Sequence, residues 1–508
     1  MIKKAKRGIA GAMTVLILAL VPLYMEDFYF NLSMAKGHIY MLGDILLLLA
    51  ALLLHGVSRV KKQSLGLPFN LLDRIMLFFF IVVLVSLAFA KDFLYALWGT
   101  KGFSVGACTL CILIGSYFVI SRWYPENVWT WRIFYAVNGL IFGIGFLHSA
   151  GVDVFGAHEG ILASQIFWYI STIGNVNWYV GYLCLIMPLA VVRYLQFGEG
   201  MVSGRRLLLT GHLLFLFLGL FNIVFCASDG IFLGLGFCAF FAIPYILEDR
   251  RRLALFCPLL TAYGLALLAV GHLPLFAAKR STFSGLPALA LRWPVGAALC
   301  LLGLAGSIAL RRYFAMPEEK KEDPLLLWLK RGLLLCLSLL VLGYLGYTIL
   351  HFSDAWGTGR GKTWRVSLEI YRDLPLIKKL FGIGPELLPY YYPDLTDGTR
   401  LAITVAHSEP IQLLLTTGLL GLISYLGIWG SVLGAGVKSF FGRGGKAGEA
   451  MLLLPLAAYF AQGLVNSATV TNAALCFWLL GLWRRRQDAG GAKGRDTSEI
   501  SIRNWMTN

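Results

Sequence analysis

Residues 39–57 read IYMLGDILLLLAALLLHGV, a run whose only charged residue is Asp44, and Arg59, Lys61 and Lys62 follow almost at once. A helix needs about 20 mostly apolar residues to cross a bilayer, and this run is apolar on every side rather than along one stripe, as a helix surrounded by lipid must be. The same pattern recurs near 8–24, 71–90, 102–120, 133–150, 173–192, 207–226, 230–247, 253–271, 288–310, 325–350, 410–433, 450–468 and 470–483. Composition agrees. Of 508 residues, 58% are hydrophobic and 14% charged, where a soluble domain carries about 25% charged residues. A soluble core of this length has no room for so much apolar surface. A soluble enzyme, a secreted disulfide scaffold and a disordered regulator are thereby excluded. The expected fold is all-α, a polytopic transmembrane bundle of about 12–14 spans.

The formal net charge of +17 comes from 44 basic and 27 acidic residues. With the N-terminus inside, Lys and Arg concentrate in alternate segments: Arg59/Lys61/Lys62, Arg122, Arg193/Arg205/Arg206, Arg250–Arg252, Arg311/Arg312/Lys320/Lys321, Lys438/Arg443/Lys446 and Arg484–Arg486. That is the positive-inside bias, so the charge calls for no nucleic acid. Lys3, Lys4, Lys6 and Arg7 precede the first span, and no small-residue cleavage site follows Val21-Pro22-Leu23-Tyr24, so an uncleaved anchor is expected. The chain then divides into transmembrane helices over 1–350, a large extracytoplasmic loop over 351–409, further helices over 410–486 and a polar, disordered tail over 487–508. All nine cysteines fall in apolar stretches, the Cys108/Cys111 pair included, so no disulfide or metal knot is expected.

The 351–409 loop breaks the charge rule. It carries Arg360, Lys362, Arg365, Arg372, Lys378, Lys379 and Arg400 on the side where topology gives them no advantage. Trp364, Leu368 and Tyr371 recur at helical spacing, which predicts an amphipathic helix over 361–373, ended by Pro375. Gly382-Ile383-Gly384, the tyrosines Tyr390–Tyr392 and Ala406-His407-Ser408-Glu409-Pro410 follow, and the next span opens with Thr417-Gly418-Leu419-Leu420-Gly421. This order resembles the signature region of the O-antigen ligase and O-antigen polymerase superfamily, as does Gly174-Asn175-Val176-Asn177 ahead of an earlier span. Two positions depart from that pattern: Ser408 stands where the family has Asn, and Ser228-Asp229-Gly230 where it has Ser-Arg-Gly. Lys279 or Arg280 is the expected substitute for the missing Arg.

The resemblance implies a metal-independent, inverting membrane glycosyltransferase of GT-C-like fold. It would transfer a glycan from a polyprenyl-diphosphate donor to a hydroxyl on a glycan, lipid or protein acceptor, at the outer face of the bacterial cytoplasmic membrane among membrane lipids. No cofactor is implied, because the diphosphate is already an activated leaving group. His407 is the candidate catalytic base, since a neutral imidazole exists near pH 7. Arg360, with Arg365 or Arg280, is the candidate partner of the diphosphate, because a guanidinium pairs two phosphate oxygens and never deprotonates. Glu409 either orients His407 or caps the next helix. Trp364 and the tyrosines either stack on sugar or anchor at the interface. Asn175 and Asn177 either line the site or cap a helix. Asp44 and His212, inside spans, are polar groups without an evident partner in the sequence. Two other readings stay open. Glu26/Asp27 or Asp394/Asp397 would hold a divalent cation in the other class of polyprenol-dependent transferase. A transporter or flippase of the same lipid-linked sugars would need an internal repeat and charges along a central path.

Overall fold

The computed structural model describes residues 1–61, 68–100, 102–199, 206–313, 324–392, 403–441 and 447–491. Every expected span carries a helix. Ten of the described helices are long and apolar enough to cross a bilayer, from Ile2–Leu23 to Gly418–Lys438. Leu71–Leu87, Ala107–Trp123, Ala447–Gly463 and Val470–Gly491 occupy the remaining four expected positions. The chain is an all-α, multi-pass membrane protein. The described strands are two short ones, Tyr169–Ile170 and Gly174–Asn175, paired antiparallel just before the Val176–Glu199 helix. The last helix runs to Gly491, so the first residues of the expected disordered tail are helical and the rest of the tail lies outside the described residues.

The helices fall into two compact units. One comprises Met1–Phe134, Leu345–Ala435 and Phe460–Ser501; the other is built mainly from Tyr135–Tyr344. In the first, Asp73 is the polar centre. It forms a capping box with Asn70 at the start of its helix, accepts from Tyr117 Oη at 2.7 Å and from Arg122 Nη1 at 2.9 Å, and accepts from Arg484 Nε at 2.8 Å. Asp73 and Arg484 are both fully buried. Arg484–Arg486, expected as topogenic charge alone, are therefore structural: Arg485 donates to the Arg122 carbonyl and Arg486 pairs with Glu126. Removing one partner of a buried pair strands the other charge, which typically costs about 3–5 kcal/mol. Asp44 also has a partner that the sequence hides, the Ser116 hydroxyl on the Ala107–Trp123 helix. In the second unit His212 hydrogen-bonds the Leu208 carbonyl at 2.8 Å and sits edge-on to the Tyr135 ring.

Two departures from sequence expectation shape the region around 356–418. The amphipathic helix forms as Trp356–Asp373, but Gly357, Thr358 and Gly359 have φ of 60°, 59° and 94°, so the regular helix starts at Arg360. The expected 410–433 span is broken into Glu409–Thr416 and Gly418–Phe441. At the break the carbonyls of Leu415 and Thr416 lose their helical partners. Ile383 N–H donates to the Leu415 carbonyl and Gly384 N–H to the Thr416 carbonyl, each at 3.0 Å, and Ser86 Oγ donates to Thr416 O at 2.7 Å. The Gly-Ile-Gly turn thus closes a broken helix end, satisfying backbone groups that cannot be left bare in an apolar surrounding.

The approach is close enough to demand glycine on both sides. A Cβ on Gly382 (φ 84°) would lie 2.2 Å from the Thr416 carbonyl oxygen, and one on Gly418 (φ 72°) 2.3 Å from the Leu380 carbonyl oxygen. Gly382→Ala and Gly418→Ala should each destabilise the protein by about 1–3 kcal/mol through backbone strain alone, with the steric overlap adding to it. Gly346→Ala, which meets nothing within 4 Å, should change little. Thermal unfolding of the three variants in detergent checks this; equal midpoints would mean that the turn does not depend on the break.

Candidate functional site

His407 lies in the first unit, between the 356–392 segment and the Glu409–Thr416 helix in chain order. It lies one residue before Ser408, the N-cap of the Glu409–Thr416 helix, and its φ is 51°. A bulky residue in the left-handed region is strained, and such strain gathers where neighbours over-determine a side chain's position. Those neighbours are identifiable. Gln412 Oε1, one turn into the helix, accepts the Ala406 N–H at 2.8 Å, and Phe103 stands edge-on to the imidazole with ring centroids 6.5 Å apart. Burial and the Arg360 guanidinium push the His407 pKa down from 6.5 to about 4. The imidazole is therefore neutral at physiological pH, with a lone pair for a proton.

Arg360, at the first regular turn of its helix, donates from Nη2 to Asn466 Oδ1 at 3.1 Å and from Nη1 to the Gly357 carbonyl at 3.5 Å. Arg365 is committed differently. Its Nε and Nη2 make a two-pronged contact with Asp354 at 2.9 and 2.7 Å, and Nη1 bonds Glu369 at 2.9 Å. Two carboxylates already match its charge. Trp364 packs with Trp356, ring centroids 5.0 Å apart, and lines an open cleft of about 380 Å³ with Phe352, Leu368 and Ile411. Glu409 is buried and accepts from Tyr425 Oη at 3.1 Å, which ties the short helix to the one after the break. Tyr390 donates to Asp92 at 2.7 Å.

The remaining candidates belong to the second unit. Asn175 Oδ1 accepts the Asn177 N–H at 2.9 Å, the capping role at the start of the Val176–Glu199 helix, and Asn177 Oδ1 accepts from Ser228 Oγ at 2.9 Å. Arg280 Nη1 donates to the Gly271 carbonyl at 2.6 Å, with Val270 O at 3.4 Å, closing the end of the Arg250–His272 helix. Its neighbour Lys279 is the buried cation here. Its Nζ donates to Phe167 O at 3.0 Å between the rings of Phe167, Phe225 and Phe283, and burial brings its pKa down to about 8. His148, Asp153 and His158 converge closely enough to suggest a metal site. However, the Ser171 N–H points at His148 Nδ1, and the two ring nitrogens of His158 face Asp153 and the Tyr169 carbonyl. Those hydrogen bonds engage His148 Nδ1 and both ring nitrogens of His158. Of the acidic residues considered for a cation, Glu26 meets Tyr24 Oη at 3.4 Å, while Asp394 and Asp397 lie outside the described residues, as does Arg400.

Sequence reasoning missed three contributors in the first unit: Asn466, Gln412 and Glu386. Gln412 is one turn past the Ala-His-Ser-Glu motif, and its side-chain role cannot be read from spacing. Glu386 follows the Gly-Ile-Gly-Pro turn, has a left-handed φ of 54°, and its buried carboxylate accepts the backbone N–H groups of Thr100 and of Val105, the latter at 3.1 Å. It pins the short loop that presents Phe103 to His407. Asn466 falls in a polar, uncharged run between two apolar helices, which in sequence reads as a solvated turn.

Residues 214–426 match the family model described as O-antigen ligase. The match includes Arg280, Arg360, Trp364, Arg365, His407 and Glu409 and leaves out Asn175 and Asn177. No curated protein and no solved structure matches the chain.

Burial pushes the Glu386 pKa up from 4.5 to about 7 against the pull of its two amide donors. The folded state then binds the proton more tightly than the unfolded one, so stability should fall as pH rises from about 4.5 to 7. Glu386→Gln should flatten that part of the profile. Unfolding midpoints from pH 4.5 to 7.5 test it, and an unchanged slope in the variant would remove Glu386 as its source.

Proposed function

We propose that this chain, whose residues 214–426 match the O-antigen ligase family model, transfers a glycan from a polyprenyl-diphosphate donor to an acceptor hydroxyl at the outer face of the bacterial cytoplasmic membrane. The observation that carries the reading is the buried, neutral His407 within the electrostatic reach of the Arg360 guanidinium, both inside the matched stretch. A base and an anion holder are what this transfer requires. The acceptor oxygen attacks the anomeric carbon and its proton passes to His407. The bond from that carbon to the phosphate oxygen breaks, and its electron pair leaves with the diphosphate, whose charge Arg360 neutralises. One displacement inverts the anomeric centre. Because the leaving group is activated already, the step needs no metal or nucleotide.

The acceptor decides between ligation and polymerisation, and the same two residues serve both. Membranes given a labelled lipid-linked repeat separate them: a discrete conjugate indicates a ligase, a ladder of lengths a polymerase. Activity should persist in excess EDTA. Loss on chelation with rescue by Mg²⁺ or Mn²⁺ would favour a metal-dependent transferase.

Charge-assisted contacts are worth about 1.5–3 kcal/mol, so Arg360→Ala should raise the donor KM by about tenfold to a hundredfold. Arg360→Lys should recover only part, lacking the planar fork, and Lys379→Ala should do little. An equal effect of Lys379→Ala would mean a diffuse basic patch instead. The acid limb of kcat/KM, which reports groups of the free enzyme, should fall near pH 4 in the wild type. It should move up, though only part of the way to 6.5, in Arg360→Gln, because the neighbouring positive charge is gone while burial, the larger cause, remains. A wild-type limb near 6.5 that does not move would take His407 out of the role of base.

A further inference from the structure

Residues 463–472 read GLVNSATVTN and carry no charge. They join the Ala447–Gly463 and Val470–Gly491 helices. In a chain so apolar, a turn of amides and hydroxyls would ordinarily face water. Here it is inside: Gln462, Asn466, Thr469, Thr471 and Asn472 are each at most 5% exposed. Part of this burial is ordinary capping, since Thr469 accepts the Asn472 N–H at 3.4 Å at the start of the last helix. Asn466 and Ser467 are different. Asn466 is 4% exposed and its Oδ1 accepts from Arg360, yet its Nδ2 has no hydrogen-bond partner among the described residues, and neither has the buried Ser467 hydroxyl. Buried polar atoms are nearly always paired, and those that are not call for a ligand, a water or a function.

The chemistry of these groups narrows the ligand. A phosphate selects cations, and Arg360 already supplies one. Neutral amides and hydroxyls that both give and accept hydrogen bonds match neutral hydroxyl groups, which do the same. Asn466 adjoins the guanidinium assigned to the phosphate and Ser467 is the next residue, so the hydroxyls they meet belong to what is attached to that phosphate.

We propose that the turn between these two helices is a sugar-recognition wall, in which Asn466 Nδ2 and Ser467 Oγ hydrogen-bond the hydroxyls of the sugar joined to the diphosphate while Asn466 Oδ1 holds Arg360 toward the phosphate. The proposal rests on the transferase reading above and adds to it the residues that select the donor sugar. A site built to pair a hydroxyl discriminates against a ligand that lacks it, because its own polar groups are then left bare.

The test is equilibrium binding to the full chain in nanodiscs. The probes are undecaprenyl diphosphate and undecaprenyl-diphosphate-linked glucose, galactose, N-acetylglucosamine and N-acetylgalactosamine. The wild type should bind at least one sugar-bearing lipid about three- to tenfold more tightly than the bare lipid, the range expected of one or two neutral hydrogen bonds. Ser467→Ala should reduce that preference and bind the bare lipid as the wild type does. Asn466→Ala should reduce the preference and also weaken the bare lipid, because Arg360 loses its anchor. The ratio of the two affinities is the readout, so either variant alone decides if the other fails to fold. The proposal is overturned if no sugar-bearing lipid is preferred, if the variants keep the wild-type ratio because water satisfies these atoms, or if Ser467→Ala weakens both lipids equally. A wild type that binds not even the bare lipid would overturn the transferase reading itself.

Discussion

The region around His407 depends on one break in a helix. Between Thr416 and Gly418 an apolar run that has every local reason to continue stops, and two backbone carbonyls are freed. In water such an end is solvated at no great cost. In an apolar bundle it must be closed by protein, and the Gly-Ile-Gly turn closes it with the N–H groups of Ile383 and Gly384. The consequence is geometric. The segment from Arg360 to Gly384 is tied to the short Glu409–Thr416 helix, and His407 sits at the start of that helix. Backbone hydrogen bonds, and not side-chain packing alone, tie the turn that follows the Arg360 helix to the end of the short helix that begins just after His407.

Around that frame the side chains do different work. Gln412 and Glu386 hold backbone: one the residue before His407, the other the loop behind Phe103. Arg360 and burial together keep the imidazole neutral, so the same cation that suits an anionic leaving group also preserves the base. Binding an anion at Arg360 would cancel part of its field on His407 and make the ring more basic. On the proposed reading, in which His407 accepts a proton as the donor settles, that coupling favours the transfer.

Much of the fold is legible because lipid imposes a simple rule, about 20 apolar residues per crossing, and each such run became a helix. The short amphipathic helix was legible too, from Trp364, Leu368 and Tyr371. The break at Thr417 was not, because Leu-Leu-Leu-Thr-Thr-Gly-Leu-Leu reads as an uninterrupted span and the reason to stop lies 35 residues away, at Gly382. Among the site residues, His407 and Arg360 stood out by type and place. Arg365 and Arg280 stood behind Arg360 as alternative partners of the diphosphate, since nothing local reveals that Asp354 and Glu369 pair with the one or that the other closes the Arg250–His272 helix. Asn466 went unnoticed because a polar turn between spans is usually solvated. Only its burial beside Arg360 sets it apart.

The central claim is that His407 takes the acceptor's proton at a site where Arg360 holds the donor. Its most direct test is a single-turnover experiment with a labelled polyprenyl-diphosphate glycan prebound to the His407→Ala protein. The account predicts donor binding close to wild type and transfer reduced by at least about a hundredfold, the contribution typical of a positioned general base. Transfer at the wild-type rate from the bound donor would contradict it.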